Sequence, residues 1–128
     1  MTVNKKTIIL SGSGSGIGRE IAKKLDKEYN LILLSKSEKV FDLRKSLDSC
    51  IDAVECDFSD ISETNLVIEN ILNKHNNIFG FINSAGVIGE SGPLESTSYT
   101  SWEKVFNINV ISPIIIANNL IKIFKNQR

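Results

Sequence analysis

The 128-residue chain is short of nearly everything that announces a metal centre, a disulfide scaffold or a nucleic-acid surface. It has one His and two Cys, and Cys50 and Cys56 stand six apart, the spacing of neither a zinc site nor a redox pair. No metal is expected. Cys56, at the end of an apolar run, reads as a small buried hydrophobe, and the setting implied is reduced and cytoplasmic. Fifteen basic residues cancel fifteen acidic ones, which leaves no electrostatic footprint for nucleic acid or an anionic membrane. Neither terminus has the basic, apolar, small-residue order of a secretory leader. The most apolar segment, residues 105–124, is interrupted by Asn107, Asn109, Pro113, Asn118, Asn119 and Lys122, which makes it a poor membrane span. There are no internal repeats and no low-complexity linker. What remains is a composition of 41% hydrophobic and 23% charged residues, ordinary for a globular protein and enough for one domain spanning 1–128.

Glycine is where the chain is generous. Residues 8–18, "IILSGSGSGIG", run from a strand-like segment into four glycines within seven positions. Each glycine weakens a helix or strand by about 0.5–1 kcal/mol against alanine, so such a cluster needs a reason. The neighbouring pattern supplies it. Apolar runs at 6–10, 29–35, 51–57 and 77–86 read as strands. Between them lie helical stretches: one from Gly16 with Ile17, Ile21, Ala22 and Leu25 on a face, and one at 37–48 with Val40, Leu43 and Leu47 aligned. A third runs from an Asp60/Glu63 capping box to about His75, with Leu66, Ile68, Ile71 and Leu72 as its apolar face. A last helix, capped by Thr100 with Glu103, continues to Phe124. Strict strand–helix alternation defines an α/β fold: a doubly wound parallel sheet, Rossmann-like, with right-handed crossovers. In such a sheet the first strand–helix turn is where backbone N–H groups and a helix N-terminus meet a phosphate, and glycine lets the phosphate approach.

The loop is not G-x-G-x-x-G, nor does it carry the Gly-Lys-Ser/Thr of a P-loop. It fits G-x-x-x-G-x-G at Gly12, Gly16 and Gly18. Together with "CDFSD", "INSAGV" and "WEKVFNINVISP" in order along the whole chain, it resembles the short-chain dehydrogenase/reductase family. Ser11 stands where the family loop has Thr, and Ser84 replaces the second Asn of its Asn-Asn-Ala-Gly element. The resemblance implies a dinucleotide site at Gly12, Ser13, Ser15, Gly16, Ile17, Gly18, Asp57, Phe58, Asn83, Ala85 and Gly86, with Asp57 toward the adenine. It also implies Asn109 as the catalytic Asn whose main-chain oxygen holds a water of a proton relay. Pro113 has no N–H for the carbonyl of Asn109 four residues earlier if the helix continues; the alternative is that Ser112 caps a fresh helix opened by Pro113.

At the end of the second strand an acidic residue would bind the ribose hydroxyls of NAD. Here Ser35, Lys36 and Ser37 stand instead, suited to a 2′-phosphate, so NADP is expected over NAD. The implied activity is hydride transfer between NADPH and a small carbonyl or alcohol substrate. The family's general acid/base is a Tyr with Lys four residues on; here Tyr29 is followed by Leu33 and Tyr99 by Glu103. The chain is therefore expected to be the N-terminal, cofactor-binding portion of such an enzyme, truncated after the fourth strand and following helix and without turnover by itself. The alternative is a shortened, non-catalytic dinucleotide-binding module or partner subunit. The last helix is apolar on nearly every side, which implies burial by more chain or by a second copy, as in the family's homo-oligomers. His75 reads as a surface or helix-terminal cation, Tyr99 and Trp102 as packing the turn into the last helix, and Glu90 and Glu95 as solvated.

Overall fold

The computed structural model describes residues 4–127. Strands β1 (Thr7–Ser11), β2 (Asn30–Ser35), β3 (Cys50–Glu55) and β4 (Ile78–Asn83) alternate with helices α1 (Gly16–Leu25), α2 (Lys39–Ser46) and α3 (Ile61–Lys74). A 3-10 turn (Leu94–Ser96) then precedes α4 (Tyr99–Phe106), a π turn (Asn107–Ile111) and α5 (Ser112–Asn126). All pairings are parallel and the order across the sheet is β3-β2-β1-β4. The chain steps outward from β1 to β3 and then crosses back to place β4 on the other side of β1. That reversal is the switch point at which doubly wound sheets open a crevice beyond their strand ends.

The apolar runs of β1 and β2 are continuous because both faces of the sheet are covered. Alternate residues divide between two cores. Ile9, Ile32 and Leu34 join Cys56, Ile68, Ile71, Ile116 and Leu120 under α3 and α5. Ile8, Leu10, Leu31, Leu33 and Ala53 meet Ala22, Val40 and Leu43 of α1 and α2. The register pairs Ile9 with Ile32 and Leu10 with Leu33, so each layer is level across the two central strands. Burying one such side chain contributes about 1.5–3 kcal/mol. Burial also pushes the Cys56 and Cys50 thiols up to about 11, so Cys56 is the inert hydrophobe expected and neither is a nucleophile at neutral pH.

Several local expectations are corrected. Asp60 does cap α3, accepting from the Glu63 N–H at 2.9 Å, but the inward face is Thr64, Ile68 and Ile71, while Leu66 points to solvent. The cap of α4 is Ser98, which accepts from the Ser101 N–H at 3.1 Å, and Thr100 lies inside the helix. Tyr99 is exposed, whereas Trp102 does hold the turn into the last helix, donating its indole N–H to Thr97 Oγ1 at 2.8 Å. Of the two places expected for His75, it takes the helix terminus and not the open surface. As the C-cap of α3 it places Nε2 2.7 Å from Asp52 Oδ2, where the Lys74 ammonium also donates at 3.1 Å. Burial alone would raise the Asp52 carboxyl, but the His75 and Lys74 hydrogen bonds outweigh it and hold it below the usual aspartate range.

The last helix resolves the Pro113 alternatives. Ser112 is helical, at φ −62° and ψ −43°, so no fresh helix starts there. Its N–H bonds back to the carbonyl of Asn107, a five-residue step that widens the turn without breaking it. Tyr99–Asn126 is thus one 28-residue helix and, against the expectation drawn from its polar interruptions, is long and apolar enough by length and composition to cross a membrane. Ile108, Ser112, Ile116 and Leu120 are buried, whereas Phe106, Val110, Ile114 and Ile121 form an exposed apolar stripe opposite.

Candidate active site

The crevice opens where β1, β2 and β4 end. Ser11, the last residue of β1, ties the two halves together. Its hydroxyl donates to Asn83 Oδ1 at 2.8 Å and accepts from the N–H groups of Ser84 and Ala85 at 3.2 and 3.3 Å. The chain then turns at Gly12 with φ +69°, where a Cβ would lie 2.5 Å from the Ala85 nitrogen. It turns again at Gly16, φ +55°, into α1. Both conformations suit glycine, and at Gly12 the neighbouring backbone excludes any side chain. The α1 N-terminus, with its unpaired N–H groups, faces the crevice.

A cleft of about 370 Å³ runs along these loops, lined on one side by Gly12, Ser15, Ile17 and Gly18 and on another by Ser35, Lys36 and Ser37. Asp57, which the resemblance assigns to the adenine, lines it as well, as does Phe58, and Ala85 and Gly86 form the wall beyond β4. Ile17 is exposed into this cleft rather than part of the packed face of α1, which is built on Gly18 and Ala22. Asn109 does not line the cleft, and neither do three residues expected in the dinucleotide site. Ser13 is fully buried with its N–H and hydroxyl both on the Leu34 carbonyl, so it fastens the glycine loop to β2. Asn83 is spent on Ser11, and Gly16 shapes the turn. Conversely, Val87 and Ile108 line the cleft without having been singled out, as does Ser84, noted only as a departure from the family element. Gly14 was also passed over, although a Cβ there would sit 2.5 Å from Ser35 Oγ. The signal was its place opposite the end of β2, which becomes visible only once the register is known.

The charges are few and well placed. Asp57 Oδ1 accepts from the hydroxyl of Ser59 at 2.6 Å and from its N–H at 3.0 Å. The Ser59 hydroxyl bond chiefly holds the Asp57 carboxyl below the usual aspartate range; burial opposes it, and the Ser59 N–H, Lys36 and Lys104 assist. Lys36 Nζ lies 3.8 Å from the other oxygen, Oδ2. Asn109, on the π turn, grips the strand-side wall with both ends of its amide: Oδ1 accepts from the Val87 N–H at 2.9 Å and Nδ2 donates to the Val87 carbonyl at 2.8 Å. The turn itself is strapped to the Asp57 loop, with Asn107 Nδ2 donating to the Ser59 carbonyl at 3.1 Å and Ser112 Oγ to the Phe58 carbonyl at 2.6 Å. Pro113 leaves the Asn109 carbonyl without its usual helical donor.

A glycine-lined phosphate turn at the switch point of a parallel sheet defines a dinucleotide-fold protein. The chain belongs to the short-chain dehydrogenase family, whose sequence model matches residues 6–128. Among characterised relatives it is 28% identical to levodione reductase of Leifsonia aquatica over 95% of this chain and 48% of that protein. It is 24% identical to sepiapterin reductase of Chlorobaculum tepidum over 96% and 55%. Its fold superposes at a TM-score of 0.82 on a bulky-bulky ketone specific alcohol dehydrogenase from Comamonas testosteroni, at 22% identity and covering 98% of this chain and 52% of the other. A metagenomic short-chain oxidoreductase in complex with NADP gives the same TM-score, also at 22% identity, over 88% and 53%. The chain therefore spans about half the length of the relatives it matches.

Proposed function

We propose that the chain is the cofactor-binding part of an oxidoreductase that moves a hydride between NADPH and a small carbonyl or alcohol. The observation carrying this reading is the cradle itself. At Gly12 and Gly18 a Cβ would meet loop backbone at 2.5 and 2.1 Å, so only glycine lets the loop and α1 pack closely enough to form the turn that would receive a pyrophosphate. The nicotinamide supplies the hydride when bound. Gly12, Ser15 and Gly18 would hold the pyrophosphate, Asp57 and Phe58 the adenine, and Ala85 and Gly86 the inner wall. Ser35, Lys36 and Ser37 would hold a 2′-phosphate by charge-assisted hydrogen bonds. Asn109 fixes the wall through Val87 and offers its carbonyl to a water. With neither Tyr29 nor Tyr99 followed by Lys, these 128 residues bind the dinucleotide without turning it over. The exposed stripe of Phe106, Val110, Ile114 and Ile121 is the face against which a second copy would pack.

The test is a fluorescence titration of the chain with NADPH and NADH. NADPH is expected to bind about tenfold tighter, and Lys36→Met to abolish most of that difference. Equal affinity for the two cofactors would remove the NADP reading, and no saturable binding of either would remove the dinucleotide reading.

A further inference from the structure

The lysine that would meet a 2′-phosphate already faces an anion. Lys36 Nζ is 3.8 Å from Asp57 Oδ2, and that carboxylate is not free to turn away, because Ser59 holds Oδ1 with two hydrogen bonds. The lysine is the more exposed member, its side chain 63% exposed against 35% for Asp57. The two serines beside it are partly committed: Ser35 Oγ accepts from the Ser37 N–H at 3.2 Å and Ser37 Oγ from the Lys39 N–H at 3.3 Å. Both hydroxyls keep a proton to donate, but of these three residues only Lys36 carries a positive charge. Asp57 and an incoming phosphate therefore compete for one ammonium.

We propose that Asp57 is a specificity-determining residue that works against the 2′-phosphate: by holding Lys36 it sets how far the site prefers NADPH to NADH. The inference rests on the reading of Lys36 given above. Whatever Asp57 does for the adenosine is common to both cofactors and cancels in the ratio of their dissociation constants. What survives in the ratio is its effect on the phosphate. Since both partners are partly solvated, water and salt screen the pair, and the effect is about two- to fivefold rather than a hundredfold.

The experiment measures the NADH-to-NADPH ratio of dissociation constants at low ionic strength for the chain and for Asp57→Asn, Lys36→Met and the double variant. Asn retains an oxygen acceptor for Ser59, so the loop keeps its hydrogen bonds. Asp57→Asn is expected to raise the ratio about two- to fivefold with Lys36 present, and by less than half that factor in the Lys36→Met background. Asp57→Ser removes the charge by another route and must raise the ratio in the same direction. An unchanged or lowered ratio in both Asp57 variants overturns the proposal, as does an equal rise with and without the lysine. Either result leaves the Lys36 reading standing if Lys36→Met still collapses the preference. If Lys36→Met leaves the ratio where it was, the NADP reading and this inference fall together.

Discussion

Replacing Gly18 with alanine sets two local effects against each other. Gly18 lies in the first turn of α1, where alanine gains about 1 kcal/mol of helix propensity. A Cβ there, however, would lie 2.1 Å from the Gly12 carbonyl oxygen, 2.7 Å from its carbon and 3.1 Å from Ser13 Cα. All are backbone atoms, so no side chain can rotate aside, and relief requires α1 and the loop to part. Forced backbone movement of this kind costs about 3 kcal/mol, leaving a net loss of about 2 kcal/mol once the propensity gain is subtracted. For a domain of this size that lowers the melting temperature by about 6–10 °C. The displaced atoms are those proposed above to cradle the pyrophosphate, so NADPH binding should weaken at least tenfold. Gly16→Ala is the control: φ is +55° but no heavy atom lies within 4 Å of its Cβ, so only the left-handed backbone cost of about 1 kcal/mol applies. Thermal melts followed by circular dichroism, together with NADPH titrations, compare the two. A Gly18→Ala chain that melts and binds as the parent does, or a Gly16→Ala chain that suffers more, refutes the close-packing argument.

Two further outcomes are expected. Ser112→Ala removes a buried donor from the Phe58 carbonyl and a neighbour 3.2 Å from Thr64 Oγ1, and should cost about 1–3 kcal/mol in urea melts; an unchanged midpoint would show that the hydroxyl is idle. Asp52 titrates below its unfolded value, so its stabilisation is present above about pH 4 and lost as pH falls through the native pKa. Asp52→Asn should therefore flatten the acid limb of a stability–pH curve, and parallel curves would refute that.

The order of elements was legible because each strand is an apolar run and each helix a four-residue recurrence, signals that survive without tertiary information. Which side of the sheet each strand residue takes was not legible in β1 and β2, since a strand buried on both faces carries no alternation. Thr100 with Glu103 has the form of a capping box, yet the cap is Ser98, whose N–H also donates to Glu90 Oε2 at 3.1 Å and anchors the chain at the earlier position. Leu66 read as inward by type, yet Thr64 takes that place because its hydroxyl reaches the Asp60 carbonyl and the Ser112 hydroxyl. His75 sat in a polar run, and its partner Asp52 belongs to a strand 23 residues earlier. The cleft residues were legible where a motif position came with a role; Val87 and Ile108 lie inside the quoted motifs at positions without one, and the Lys36–Asp57 pair rests on proximity alone.

The wide turn before Pro113 settles a packing problem and a site problem together. Ile108, Ser112, Ile116 and Leu120, the inward stripe of the last helix, recur every four residues. In an α-helix a four-residue step overshoots a full turn by about 40°, so three steps would carry the stripe about 120° away from the sheet. The five-residue bond from Ser112 to Asn107 enlarges the turn at the first of those steps and takes back part of the drift, keeping Ile108 and Ser112 on one face. With Ser112 turned inward, its hydroxyl reaches the Phe58 carbonyl, and Asn107 reaches the Ser59 carbonyl on the same loop. Asn109, midway along the widened turn, then meets both polar groups of Val87. A regular α-helix through this segment would have to lose either the buried stripe or the Val87 grip, so the π turn is the geometry that lets one helix both close the core and build the wall of the cleft.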